Sequence, residues 1–280
     1  MLNKKEPIFN REFNFTHENF DRVVELIDEL SGIKLSSRKT DMVYSRLARR
    51  LRKLGLRDFD LYLDRVIEDE EEKVNFINSL TTNLTHFFRE NHHFEFLQKI
   101  YFPELFQKNQ KRIRFWSAGC STGEEPYSLS MVWQGQANKP LGIDFKILAT
   151  DLDTNVLESC RRGIYQSEKI KNIEQKYEKW FRQTDDCKAE EWKISPRLRE
   201  YIFFKQLNLM EEWPMKGPLD LIICRNVLIY FDKETQQNLV NRFAGLLSDN
   251  GILMLGHSEN LSANKRLFTP LGKTTFRKAS

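Results

Sequence analysis

The segment FWSAGCSTGEEPYS at residues 115–128 crowds glycine, hydroxyl, thiol and carboxylate groups into a short stretch. Gly119-Cys120-Ser121-Thr122-Gly123 fits a G-x-S-x-G nucleophile elbow, in which Ser121 attacks an ester as the hydroxyl of a hydrolase. The same residues fit a glycine-rich turn that holds a nucleotide-like cofactor. Both chemistries need a strand, a tight turn and a helix, so the surrounding elements must decide between them.

The region after residue 111 supplies those elements. IRFWSAG (113–119) reads as a buried strand and EPYSLSMVW (125–133) as a helix, followed by strand FKILATD (145–151) and helix TNVLESCRR (154–162). LDLIICRN (219–226), KETQQNLVNRFAGLL (233–247) and GILMLGH (251–257) continue as strand, helix, strand. Short apolar strands alternating with helices mean a parallel sheet covered on both faces, an α/β architecture. TTFRK adds a last edge strand, and the charged, aromatic stretch 163–205 reads as a small insertion with strands of its own. Before residue 97 the periodicity is helical. Val43, Leu47, Leu51 and Leu54 recur at helical spacing with Gly55 as a stop, and the acids 68–72 open the next helix. The expected organisation is a helical domain over 1–80, a connector over 81–110 and an α/β domain over 111–280.

Chain order permits a Ser121, Asp220, His257 triad. A nucleophile elbow, however, follows a strand in the middle of its sheet, whereas Ser121 follows the first strand of its domain. No HGG-like segment supplies a second oxyanion donor. The cofactor reading accounts for more. Asp151 closes the second strand, where a carboxylate accepts ribose hydroxyls, and Asp153 caps the next helix. Glu124 and Glu125 sit in the first turn of the helix after the glycine turn, stabilised there by the helix end. Acids at that place repel a pyrophosphate, so a cationic, phosphate-free adenosine cofactor such as S-adenosylmethionine fits better than a dinucleotide.

Bulk properties narrow the classes. With 30% charged and 40% hydrophobic residues among 280, the composition is that of a globular protein. No apolar run reaches membrane-span length and no signal peptide is present at the start, so a cytoplasmic protein, not inserted in a membrane, is expected. Cys120, Cys160, Cys187 and Cys224 lack CxxC pairing, which argues for reduced thiols and against zinc; His86, His92 and His93 add no ligand pattern. A net charge of +4 is too small to imply nucleic-acid binding. Its distribution says more: residues 34–57 carry nine Lys/Arg and one acid. Arg46, Arg49, Arg50 and Lys53 form a stripe beside the apolar one, either a solvated face or a docking surface for an acidic partner.

The blocks TTNLTHFFRENHHF (81–94), SAGCSTGEEPYS (117–128), ATDLDTNVLE (149–158), CRNVLIYFDKETQ (224–236) and GHSEN (256–260) closely resemble the chemotaxis receptor methyltransferases, the CheR family, over nearly the whole chain. The resemblance implies a Rossmann-like, doubly wound methyltransferase domain with an inserted antiparallel β-subdomain, preceded by an all-α domain. It implies transfer of methyl from S-adenosylmethionine to glutamates in the cytoplasmic helical region of chemoreceptors, leaving glutamate methyl ester and S-adenosylhomocysteine, by a monomer with no metal. Cofactor contacts carried onto matching positions are Asn83, Thr85, Arg89, Glu125, Asp151, Asn208, Leu209, Arg225 and Asn226, with Gly119 in the turn. Arg89 and Tyr230 would lie nearest the transferring methyl, although an aromatic at 230 also suits packing. A glutamate is ionised at neutral pH, so this chemistry needs no general base. A methyltransferase with a different acceptor is the remaining alternative. One departure concerns tethering. Some members grip a receptor C-terminal peptide through a glycine-rich loop, and FRQTDDCKAEEWKISPR (181–197) contains no glycine. Docking through Arg46, Arg49, Arg50 and Lys53 is expected instead.

Overall fold

A computed structural model describes residues 11–185, 188–261 and 266–279. Cys187 and the tip of the glycine-free segment lie outside the described residues. The chain divides into two compact units, residues 11–82 with 230–232 and residues 83–229 with 233–279.

The first unit is helical: α1 His17–Ser31, α2 Thr40–Leu54, α3 Phe59–Glu68 and α4 Glu70–Leu80. Local chemistry sets each boundary. Thr16 and Asn19 form a reciprocal cap at the start of α1. Gly55, at φ 69°, closes α2 in the left-handed region where a Cβ is disfavoured. Asp58 accepts the backbone N–H groups of Asp60 and Leu61 to begin α3. In the acidic run, Asp69 both ends α3 and caps α4, while Glu70, Glu71 and Glu72 occupy the favourable first turn. Phe15, Tyr44, Leu47, Phe59, Tyr62 and Phe76 fill the core.

The second unit opens with helical segments α5 His92–Phe96 and α6 Phe102–Gln107, joined through a π-helical turn at Leu97–Tyr101. Of the connector expected over 81–110, residues 83–110 therefore belong to this unit; Leu97, Tyr101 and Phe102 pack into its main core. Then follow β1 Arg112–Ala118, α7 Glu124–Gln134, β2 Asp144–Asp151, α8 Thr154–Arg162, β3 Ile164–Gln166, α9 Ser167–Ile170, α10 Gln175–Glu178, β4 Phe181–Arg182, β5 Glu191–Ile194, α11 Pro196–Arg199 and β6 Ile202–Gln206. The chain finishes with β7 Leu219–Cys224, α12 Lys233–Leu246, β8 Leu247–Leu255, β9 Phe268–Gly272 and β10 Thr275–Lys278.

Seven strands form one sheet in the order β6-β2-β1-β7-β8-β10-β9. The first five run parallel, β10 is antiparallel to β8, and β9 is antiparallel to β10. The chain proceeds outward from β1 on one side and from β7 on the other, so the strand order reverses between these two neighbours. A ligand crevice belongs at that point, beyond their carboxyl ends. Two expectations need correction. Thr275–Lys278 is not the edge: β9 pairs outside it, hidden in the sequence because FTPLG carries Pro and Gly where a strand is not expected. The insertion is also shorter than 163–205. Its sheet, β3-β5-β4, ends by Ile194, and Ile202–Gln206 returns to the main sheet beside β2.

Candidate cofactor site

The turn after β1 is built by hydrogen bonds to the end of β2. The Gly119 and Cys120 N–H groups both donate to the Thr150 carbonyl, at 2.8 and 2.9 Å. Ser121 N–H donates to Asp151 Oδ2 at 2.8 Å. Gly119 has φ 84°, and a Cβ there would lie 2.4 Å from Val227, so only glycine allows this approach between β1 and the loop after β7. Ser121 donates its hydroxyl to the Asn83 carbonyl at 3.0 Å, and Asn83 Nδ2 donates to Asp153 Oδ2 at 2.8 Å. The 83–89 segment is thereby laid over the turn.

This geometry removes the hydrolase reading. Asp220 stands at the start of β7, the opposite end of the sheet from Ser121, and accepts from Arg114 N–H and Gln110. His257 is exposed beside Glu90 at 3.3 Å.

Asp151 accepts Ser121 N–H and Asp153 N–H, and burial raises its pKa to about 6. Asp153 caps α8, as the sequence suggested. Glu125 is almost dry. Its Oε1 accepts from Ser117 Oγ at 2.6 Å and its Oε2 from Arg225 Nε at 2.7 Å. Arg225, equally buried at the end of β7, also donates Nη1 to the Arg89 carbonyl and lies 5.5 Å from the Phe94 ring centroid. The ion pair thus ties α7, β7 and the 83–94 segment together across the strand-order reversal. Arg89 itself lies between two left-handed residues, Phe88 and Glu90, and donates Nη1 to the Leu84 carbonyl at 2.8 Å. Phe88 is held by Ser128 Oγ, which accepts its N–H, and by stacking on Tyr177 at 4.4 Å. Thr85 is half-buried in the same stretch.

Asn226, at φ 59°, follows Arg225. Its N–H donates to Glu259 Oε2 at 2.9 Å, and its Oδ1 is buried without a partner among the described residues. On the other flank, Leu207 N–H donates to the Asp151 carbonyl at 3.1 Å, which brings Asn208 and Leu209 to the end of β2. The Leu209 carbonyl accepts from Arg242 Nη1 at 2.6 Å and Trp213 Nε1 at 3.2 Å, and the Arg242 guanidinium stacks 3.8 Å over Trp213.

Gly119, Asn83, Glu125, Asp151, Asn208, Leu209, Arg225 and Asn226 are therefore linked around the carboxyl ends of β1, β2, β6 and β7. Sequence reasoning missed the groups that hold them. Glu259 accepts N–H groups of Asn226, Gly256 and Ile229; the acid in GHSEN was its only signal. Arg242 and Trp213 left no local signal at all. His93 is buried, its pKa lowered to about 3 by burial and by Arg225. Neutral, it donates Nε2–H to the Lys273 carbonyl at 2.9 Å and turns Nδ1 to Arg225 at 3.4 Å. In the neighbouring Glu90, His92 and His93 group, both imidazole Nε2 atoms are turned to the Lys273 carbonyl.

The residues predicted to touch a partner, and Tyr230, belong to the first unit. There Tyr230 donates its hydroxyl to the Thr82 carbonyl at 3.4 Å, and its ring lies 5.4 Å from Lys39 Nζ. Arg46, Arg49, Arg50 and Lys53 line a cavity of about 420 Å³ with Asn78, Ser79 and Thr81. They are not equivalent. Arg50 forms a bidentate pair with buried Glu72, and Arg46 donates to the Ser79 and Thr81 carbonyls at the end of α4. The charge of the stripe is thus partly answered locally, by residues distant in sequence.

Comparison with known proteins agrees with the fold. The model of the CheR methyltransferase SAM binding domain matches residues 83–277, and that of the CheR methyltransferase all-alpha domain matches 18–81. The chain is 40% identical over 276 residues to chemotaxis protein methyltransferase 2 of Pseudomonas aeruginosa, covering 96% of each protein. It is 43% identical over 262 residues to the chemotaxis protein methyltransferase of Escherichia coli, covering 92% of this chain and 90% of that one. It is 41% identical over 253 residues to a probable chemotaxis protein methyltransferase of Rhizobium etli, covering 88% and 94%. Fold and site define an S-adenosylmethionine-dependent methyltransferase. The chain belongs to the CheR methyltransferase family. No helix among the described residues is long and apolar enough to cross a membrane.

Proposed function

We propose that this enzyme methylates glutamate side chains in the cytoplasmic helical region of chemoreceptors, giving a glutamate methyl ester and S-adenosylhomocysteine. One observation favours this acceptor: among the described residues, the titratable groups buried at the cradle are already engaged. Glu125 is paired with Arg225, Asp151 accepts two backbone N–H groups, and His93 is buried against Arg225. A nucleophile that arrives already ionised suits such a site, as a carboxylate of pKa ~4.3 does and an amine or alcohol does not.

The cradle suits the cofactor. Asp151 is placed to accept ribose hydroxyls, Asn226 Oδ1 is a buried acceptor in need of a donor, and the glycine turn permits close backbone approach. When bound, S-adenosylmethionine supplies a methyl group on a positive sulfur, which is its own leaving group. The protein has only to position the reactants. In this reading Asn83, Thr85, Arg89, Gly119, Glu125, Asp151, Asn208, Leu209, Arg225 and Asn226 form the cofactor site, the Glu125–Arg225 pair mainly by holding its walls. Arg89 orients the acceptor carboxylate without fully quenching it, and Tyr230 is the second catalytic residue, a neutral hydroxyl.

The first unit serves as the docking domain, and the enzyme acts as a cytoplasmic monomer. Arg49 and Lys53 present their charge outward, and Arg46 and Arg50 shape the wall behind them. The test is transfer of labelled methyl to receptor-bearing membranes. Base-labile label on receptor glutamates, formed at a rate that falls steeply with salt, is expected. Base-stable label, or none despite tight S-adenosylhomocysteine binding, overturns the acceptor assignment.

A further inference from the structure

The two acids that open α7 meet different partners. Glu124 is fully buried, with 0% of its side chain exposed. Its carboxylate accepts from Thr122 Oγ1 at 2.6 Å and pairs with the ammonium of Lys169 in α9. Lys169 Nζ also lies 3.3 Å from Thr122 Oγ1. Four residues earlier, Tyr165 of β3 donates its hydroxyl to the Thr122 carbonyl at 2.7 Å. A Cβ on Gly123 would stand 2.9 Å from that hydroxyl. One segment of the inserted sheet therefore grips both the backbone and the side chain of the glycine turn.

We propose that Lys169 is a positioning residue for the cofactor turn. Its ion pair fixes Glu124, and Tyr165 fixes Thr122, so the inserted β3–α9 segment braces residues 119–124 against the adenosine side of the site. The inference rests on the turn being part of the cofactor site. It gives the inserted sheet a task that does not require a glycine-rich peptide-gripping loop. A buried carboxylate that loses the cation paired with it is left uncompensated, and the turn that carries it is expected to lose its geometry. The groups facing Glu124 are Lys169, Tyr165 and Thr122, with Cys120 and Cys160 beside Tyr165.

Calorimetry of the full chain with S-adenosylhomocysteine tests this on wild type, K169M, K169R and the double variant E124Q/K169M. K169M is expected to weaken binding roughly ten- to a hundredfold, the scale of a lost charge-assisted hydrogen bond. K169R, which restores the cation, and the double variant, which removes the carboxylate's charge with its partner, recover most of the affinity. If K169M does not fold but the double variant does and binds, the proposal stands. It falls if K169M binds like wild type, if its deficit persists in the double variant, or if neither variant folds. Wild type that ignores the ligand overturns the cofactor reading instead.

Discussion

Among the described residues, each unit holds a nearly dry arginine–glutamate pair, and the two do different things. In the first, Arg50 meets Glu72 as a closed fork, Nε to Oε1 at 3.0 Å and Nη2 to Oε2, with Tyr62 beside it. In the second, Arg225 gives Glu125 only its Nε and uses Nη1 on the Arg89 carbonyl, while Glu125 gives its other oxygen to Ser117. The fork neutralises charge between α2 and α4. The branched pair joins β1, α7, β7 and the 83–94 segment at the strand-order reversal. Residue types alone do not distinguish these roles; the number of elements that each pair touches does.

The sharpest way to break this comparison is Arg225→Met. It leaves Glu125 buried without a cation and cuts the link to Arg89, so a loss of about 3–5 kcal/mol in denaturant unfolding is expected, together with loss of S-adenosylhomocysteine binding by calorimetry. Arg225→Lys restores charge but not the fork of donors, and should recover stability better than affinity. Arg225→Met with unchanged affinity would reduce the branched pair to another structural fork.

Arg50→Met is the counterpart. Glu72 has 3% of its side chain exposed, so losing its partner should cost about 3 kcal/mol. Cofactor affinity should nevertheless stay within about twofold of wild type, as for a change with no shared partners. The double variant R50M/E72Q should recover much of the stability. Coupling of Arg50 to cofactor affinity would erase the distinction between the pairs.

Asp151 sharpens the comparison because backbone N–H groups, not a guanidinium, meet its carboxylate. Its folded pKa is raised by burial from 3.8 to about 6. The sign follows from linkage: this group's contribution to stability is fully present below the unfolded value and is lost as pH rises through about 6. Ligand binding runs the opposite way, since the ionised form accepts ribose hydroxyls best. S-adenosylhomocysteine affinity should therefore fall several-fold as pH drops through about 6, and Asp151→Asn should be weaker and lack that step. A flat wild-type profile over this range would mean that Asp151 does not hold the ligand.

The legible and hidden parts of the molecule divide along the same line. Gly55, the acidic run at 69–72 and the strand–turn–helix at 112–134 were readable because cap, dipole and periodicity act within a few residues. The Glu125–Arg225 pair joins residues one hundred positions apart, and only the pairing of β1 with β7 brings them together. Glu259, Arg242 and Lys169 are similarly remote from what they hold. YIFF continues the charged, aromatic texture of the insertion, so only the register of β6 against β2 reveals its place. Conversely, the basic stripe was visible in full but its neutralisation was not, because Glu72 lies on another helix.

The smallest expected effect on the molecule itself comes from the two cations that neither pair explains. Arg49 and Lys53 are exposed on α2, so R49E/K53E should leave the melting temperature and S-adenosylhomocysteine affinity unmoved. If they dock an acidic helical surface, methylation of receptor membranes should still fall well over tenfold at low salt, and the gap to wild type should narrow as salt rises. R46M should differ in kind, since Arg46 supports the end of α4: part of its loss should appear in stability and persist at high salt. Equal, salt-insensitive losses in both variants would make the stripe a solvated face, and the docking surface would have to be sought elsewhere.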